Sequence, residues 1–113
     1  MHDCIFCKII AGELPSKKLY EDDRVLAFYD IHPAAPVHFL VVPKAHIVSA
    51  AELNHETESV VGHMFTVIAR VTKALGISDY RVCNNCGEGA GQVVFHLHFH
   101  VLSGAPFRQK CLL

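Results

Sequence analysis

No apolar run in this chain of 113 residues approaches the eighteen or so that cross a bilayer, so no membrane-spanning helix is expected among them. The start, Met1-His2-Asp3-Cys4, has no basic stretch leading into an apolar one, so no secretory leader is expected and the location reads as cytoplasmic. Charge of one sign is missing too. Ten basic residues against eleven acidic ones leave a net charge of −1, with the basic residues scattered from Lys8 to Lys110. Sequence-independent nucleic-acid binding needs a contiguous basic footprint, and none is present. Five cysteines, an odd number in a reducing compartment, argue against a disulfide framework.

What is present suits one small domain spanning residues 1–113, with 51 % hydrophobic residues and a core that oligomerisation would help to complete. Asp3 is placed to cap a short helix over residues 4–11 that Gly12 ends. Strand-like runs follow at 18–21, 25–30 and 38–43, separated by Asp22-Asp23 and by Pro33-Ala34-Ala35-Pro36. Residues 57–75 carry two apolar stripes at helical spacing: Val61, Phe65, Ile68 and Thr72, and Val60, Met64, Val67, Val71 and Ala74. A helix that apolar needs more than one sheet face, either in its own core or against a second copy. A strand at 80–84 and another at 94–103 complete an α+β domain with an antiparallel sheet of about five strands.

The segment His96-Leu97-His98-Phe99-His100-Val101-Leu102 alternates imidazoles with large apolar side chains. On a strand the three histidines would share one face while Leu97, Phe99 and Val101 enter a core. Three aligned imidazoles point to catalysis or ligand binding, with a metal-only site as the alternative. Just before them, Gly87-Glu88-Gly89-Ala90-Gly91, flanked by Asn84, Asn85 and Gln92, can turn N–H groups inward as a nest for phosphate oxygens. The pairs Cys4/Cys7 and Cys83/Cys86 have the spacing of zinc ligands. A single four-cysteine site would have to bridge a separation far longer than that of common zinc modules.

Residues 96–102 match in full the His-φ-His-φ-His-φ-φ signature of the histidine-triad (HIT) family, which the chain resembles from Cys4 to about Ser103. The likeness extends through Cys4-Ile5-Phe6-Cys7-Lys8-Ile9-Ile10, Glu21-Asp22-Asp23-Arg24, residues 28–38 and Val42-Pro43-Lys44-Ala45-His46. The stretch Asp30-Ile31-His32-Pro33-Ala34-Ala35-Pro36-Val37-His38 looks like the Hint branch of purine-nucleotide phosphoramidases. That resemblance implies His98 as nucleophile toward the α-phosphorus of an AMP or GMP conjugate. His100 then stabilises the phosphate oxygens, with His38 and His96 completing the catalytic imidazoles. It also implies phosphate contacts from Asn85 and the N–H groups of Gly91, Gln92, Val93 and Val94, a ribose contact from Asp30, and a base pocket of Phe6, Ile9, Phe28 and Ile31. For the apolar four, plain core packing is the competing explanation. One structural zinc per chain on Cys4, Cys7, His46 and His96, a homodimer continuing the sheet across both subunits, and no organic cofactor follow from the same likeness.

Cys83, Cys86 and Cys111 then read as packing or surface thiols, and His2, His32, His55 and His63 as structural or solvent-facing. Two departures from the family pattern stand out: Val93 replaces a Ser or Thr, and the tail 104–113 lacks the tryptophan often found there. The expected activity is hydrolysis of purine nucleoside phosphoramidates through a nucleotidyl-histidine. The alternatives are a dinucleoside polyphosphate hydrolase and a zinc-containing nucleotide-binding module.

Overall fold

The computed structural model describes residues 3–104; His2, Cys111 and the tail from residue 105 lie outside the described residues. The elements are α1 (Ile5–Ile10), β1 (Lys18–Glu21), β2 (Val25–Tyr29), β3 (Val37–Pro43), α2 (Glu58–Ala74), β4 (Arg81–Cys83) and β5 (Phe99–Ser103), with short 3-10 turns at Ala50–Glu52 and Glu88–Ala90. All strand pairs are antiparallel, in the order β1-β2-β3-β5-β4.

Local chemistry sets the corners. Asp22 closes the β1–β2 turn by accepting from the Arg24 and Val25 N–H groups, both at 2.8 Å. Gly76, at φ 72°, adopts the left-handed turn that ends α2, and the Ile77 N–H reaches back 2.8 Å to the Thr72 carbonyl. At α1 the cap is Cys4, not Asp3: the Cys4 Sγ accepts from the Cys7 N–H at 3.3 Å.

The period of two along the strands separates the sheet into unlike faces. Val25, Ala27, Phe39, Val41, Phe99 and Val101 pack against Met64, Val67, Ile68 and Val71 of α2. Leu26, Phe28, Leu40 and Val42 face the other way and meet Phe6 and Ile9 of α1. Both helical stripes therefore enter the same core. Val67 and Val71 are buried within their own chain, while Phe65 is left half-exposed with its ring 5.0 Å from that of Phe99.

The strand expected over 94–103 begins only at Phe99, and the chain bends at 94–96. The reason is visible in the side chains. His96, Leu97, His98 and Phe99 are buried in succession, as are the residues of β2 and β3 between the two covered faces. His96 turns inward and donates from Nε2 to the Pro43 carbonyl at 2.7 Å, where a regular ladder would have continued.

Candidate active site and metal centre

His100 on β5 pairs in register with Leu40 on β3, and His38 lies two residues before Leu40 on the same, α1, face of the sheet. The Ala34 N–H donates to His38 Nδ1 at 3.0 Å, and a backbone N–H can only donate. His38 Nδ1 is therefore the acceptor, and the ring proton sits on Nε2. That proton points at His100 Nδ1, 2.9 Å away, with Asp30 Oδ2 farther off at 3.4 Å. By the same elimination His100 carries its own proton on Nε2. His98 Nδ1 lies 2.8 Å from the His96 carbonyl, which can only accept, so His98 Nδ1 is protonated and Nε2 keeps a lone pair. Asn84 Nδ2 donates to the His98 carbonyl at 2.9 Å, and Phe6 presents its ring edge-on at 5.0 Å.

Burial disfavours the charged forms of His98 and His100. It is the main cause lowering the pKa of His98, against the opposing pull of the His96 carbonyl and of Asp30. For His100, burial, then His98 and His38, bring the pKa down to about 4. A neutral imidazole with a free lone pair is a nucleophile at physiological pH, and the ring beside it offers a donor.

The loop before these histidines is built differently from the expected nest. The Gly91 N–H bonds to the Glu88 carbonyl at 3.0 Å and the Gln92 N–H to the Gly87 carbonyl at 3.1 Å, so both are committed within the loop. Among the described residues, the Val93 and Val94 N–H groups have no such partner. The buried Gln92 side chain is the staple: its Oε1 accepts from the Gly87 N–H, while Nε2 donates to the Val48 and Val94 carbonyls. Asn85 stands against the left-handed turn at Gly91.

The second cluster joins Cys4, Cys7, His46 and His96, whose ligand atoms all lie within 4.8 Å of one another. Tetrahedral zinc with bonds of about 2.3 Å to sulfur and about 2.1 Å to nitrogen holds S and N about 3.6 Å apart. Here Cys4 Sγ to His96 Nδ1 is 3.3 Å, Cys7 Sγ to His96 Nδ1 is 3.6 Å and Cys7 Sγ to His46 Nδ1 is 3.3 Å. The donor set fits zinc, and the Pro43 carbonyl fixes the His96 ring from its far side as an outer partner should. Burial, then Cys4, raises the Cys7 pKa in the protein alone, so binding a metal would release a proton. Asp30, His38 and His100 form another compact trio. It is a poor metal site, because the Ala34 N–H holds the His38 proton on the nitrogen that would have to coordinate.

Of the expected base-pocket residues, Phe6, Ile9 and Phe28 share one buried cluster, with the Phe6 and Phe28 rings 5.6 Å apart edge to face. Ile31 is not in it and is 81 % exposed. Asp30 caps its own loop with Oδ1 on the His32 N–H, leaving Oδ2 toward the histidines. Val93 is 83 % exposed. Cys83 pairs in register with His100 on the neighbouring strand, and Cys86 is exposed. His32 and His55 face solvent, whereas His63 bonds to Asp22 and ties α2 to the β1–β2 turn. The positioning bonds of the Asn84 and Gln92 side chains and of the Pro43 carbonyl are additions to what the residues alone implied, the signal for the first two being their place on either side of the glycine-rich loop.

The histidine trio and the glycine loop before it lie within residues 11–107, which the family profile of the HIT domain matches. The chain belongs to the HIT family. Protein HitA of Neisseria gonorrhoeae is 44 % identical over 107 residues, 94 % of this HIT chain and 99 % of that protein. A solved HIT family hydrolase from Clostridium thermocellum superposes with a TM-score of 0.96 at 46 % identity, covering 99 % of both chains. A histidine triad protein from Clostridium difficile gives 0.93 at 48 % identity over 97 % of each chain. The similarity thus runs through whole HIT domains and includes a protein described as a hydrolase.

Proposed function

We propose that this HIT chain hydrolyses purine nucleoside phosphoramidates, as members of the Hint branch do, through a covalent nucleotidyl-His98. The observation that carries the reading is the His98 ring: Nδ1 is held by the His96 carbonyl and Nε2 is left free in a buried site beside His100. His98 Nε2 forms a bond to the α-phosphorus as the bond from phosphorus to the amine breaks. His100 Nε2–H and the Val93 and Val94 N–H groups meet the oxygens whose charge grows, and His38 keeps the His100 proton on Nε2. Water then displaces His98. One water is consumed in all, its hydroxyl ending on phosphorus and a proton on the amine. Phe6, Ile9 and Phe28 would receive the purine and Asp30 Oδ2 the ribose.

Zinc on Cys4, Cys7, His46 and His96 would be structural, since four protein ligands leave no open position. It would anchor α1 and the segment leading into His98. The half-exposed Phe65, and β4 as the last strand in the order of the described sheet, support a homodimer in which these surfaces meet their copies. Val67 and Val71 have no part in that interface, being core residues. Denaturing mass spectrometry within seconds of mixing with AMP amidate should show an added adenylyl group on the wild type and none on His98→Ala. An adduct that survives in His98→Ala would move the nucleophile elsewhere.

A further inference from the structure

The two histidines of the metal cluster are held differently. His96 is fully buried, with Nε2 on the Pro43 carbonyl at 2.7 Å and its ring edge to face with Phe6 at 5.9 Å. His46 is half-buried, and its contacts are Nδ1 to the Cys7 Sγ at 3.3 Å and its ring to that of His96 at 5.0 Å. Among the described residues its Nε2 has no hydrogen-bond partner. A metal-bound imidazole is ordinarily fixed by a partner on its other nitrogen, so His46 lacks the brace that His96 has. His46 also lines, with Cys4, a cleft of about 540 Å³ beside the start of α1. That volume lies within the roughly 300–1,000 Å³ of small-molecule sites.

We infer that His46 is the labile corner of the metal centre: a small neutral nitrogen donor entering through this cleft takes its place on the ion, and the metal is delivered and withdrawn there without unfolding of α1. The inference rests on the zinc reading above and is independent of the phosphoramidase reading. A bond from the entering nitrogen to zinc forms as the bond from His46 breaks, and no proton or electron has to move. Imidazole binds metal as a neutral ligand, so its departure strands no buried charge, whereas losing either thiolate would. When the ion leaves altogether, the two thiolates take up protons from solvent. The walls suit such a visitor. The half-exposed Ile5 and Phe95 offer apolar contact. Among the described residues no Lys or Arg lines the cleft, and Asp3 sets a carboxylate at it, so a cation meets attraction and an anion repulsion.

The test uses metal binding, not turnover. Loaded with cobalt(II), whose visible spectrum reports its ligand set, His46→Ala should bind the ion more weakly than wild type, and added imidazole should restore both affinity and spectrum. His96→Ala, which vacates a fully buried position, should show no such rescue. In the wild type the rate of zinc loss to excess phenanthroline should rise in proportion to phenanthroline. Ile5→Trp and Phe95→Trp, which narrow the cleft, should each slow that loss about fivefold or more. Such slowing cannot come from a weakened fold, which would hasten loss. A rate independent of phenanthroline would mean release by local opening of α1 and would overturn the inference. So would wild-type rates in both tryptophan variants, or imidazole that fails to rescue His46→Ala or rescues both histidine variants alike. Each of these leaves the zinc reading standing, whereas wild-type protein that takes up neither zinc nor cobalt would overturn both.

Discussion

The two faces of the sheet are built from the same strands and do opposite work. Toward α2 the strands present Val25, Ala27, Phe39, Val41, Phe99 and Val101, and the polar group that α2 buries, the Thr72 hydroxyl, donates back to its own helix at the Ile68 carbonyl. Toward α1 the neighbours of those residues are Leu26, Phe28, Leu40 and Val42 together with His38 and His100. Desolvating an imidazole costs free energy, as the depressed His98 and His100 pKa values record. A domain this small tolerates that cost because its other face is built mainly of apolar side chains. Stability and chemistry are thus divided by a single residue step along each strand.

Substitutions on opposite faces should separate cleanly. His98→Ala is expected to lower kcat/KM for AMP amidates on the order of 10⁴-fold, roughly 5.5 kcal/mol of barrier, while thermal unfolding shifts little. Val67→Asp places a carboxylate at a fully buried position of the α2 core and should cost upwards of about 3 kcal/mol in urea unfolding. If Val67→Asp instead left the monomer stable and merely dissociated an oligomer in sedimentation, α2 would belong to an interface and the division of the faces would fail.

Metal should matter on the histidine face alone. Cys4→Ser is expected to lose zinc by elemental analysis and lower the melting temperature, whereas Cys83→Ser should keep both near wild type. Equal loss from the two variants would point to a site shared by both cysteine pairs.

Acid should expose the cost of the buried rings. His100 has an ordinary pKa of 6.5 when unfolded and about 4 when folded, so between those values the unfolded chain binds more protons. Stability should therefore fall as the pH drops from about 6.5 toward 4, with His98 contributing in the same direction. His100→Gln should flatten that slope in pH-dependent chemical denaturation; an unchanged slope would show that His100 does not titrate with folding. Asp22 adds its own loss lower down. Burial opposes its ionisation, but hydrogen bonds from His63, the Arg24 N–H, Tyr20 and the Val25 N–H outweigh burial and hold its carboxyl well below the usual range.

The smallest expected effect is a gain. Val93 is exposed at the mouth of the site, so Val93→Ser should fold normally and raise kcat by no more than about tenfold to a hundredfold, the roughly 1.5–3 kcal/mol of a hydrogen bond to a charged group. No gain with unchanged stability would mean the loop N–H groups and His100 already meet the phosphate oxygens.

Much of this was legible in the order of residues. The apolar runs between turn residues located β2 and β3 to within a residue at each end, the β1 boundaries coincide, and Gly76 marked the end of α2. The histidine signature and the C-x-x-C spacing identified rings and thiols that the fold brings within bonding distance of one another. What failed to show was anything decided by competition for partners. Periodicity could not reveal that His96 would leave the ladder for the Pro43 carbonyl, shortening β5. Counting N–H groups could not reveal that Gly91 and Gln92 spend theirs inside the loop. Two apolar stripes on α2 did not say that one curved core would take both.

The Gln92 amide clamps Gly87, Val48 and Val94 at once. A loop tied at three points has little freedom left to surrender when an anion arrives, so the entropic penalty of ordering a phosphate cradle falls on folding, not on binding. The amide protons of Gly87 and Gln92 should then exchange slowly with solvent even before any nucleotide is added.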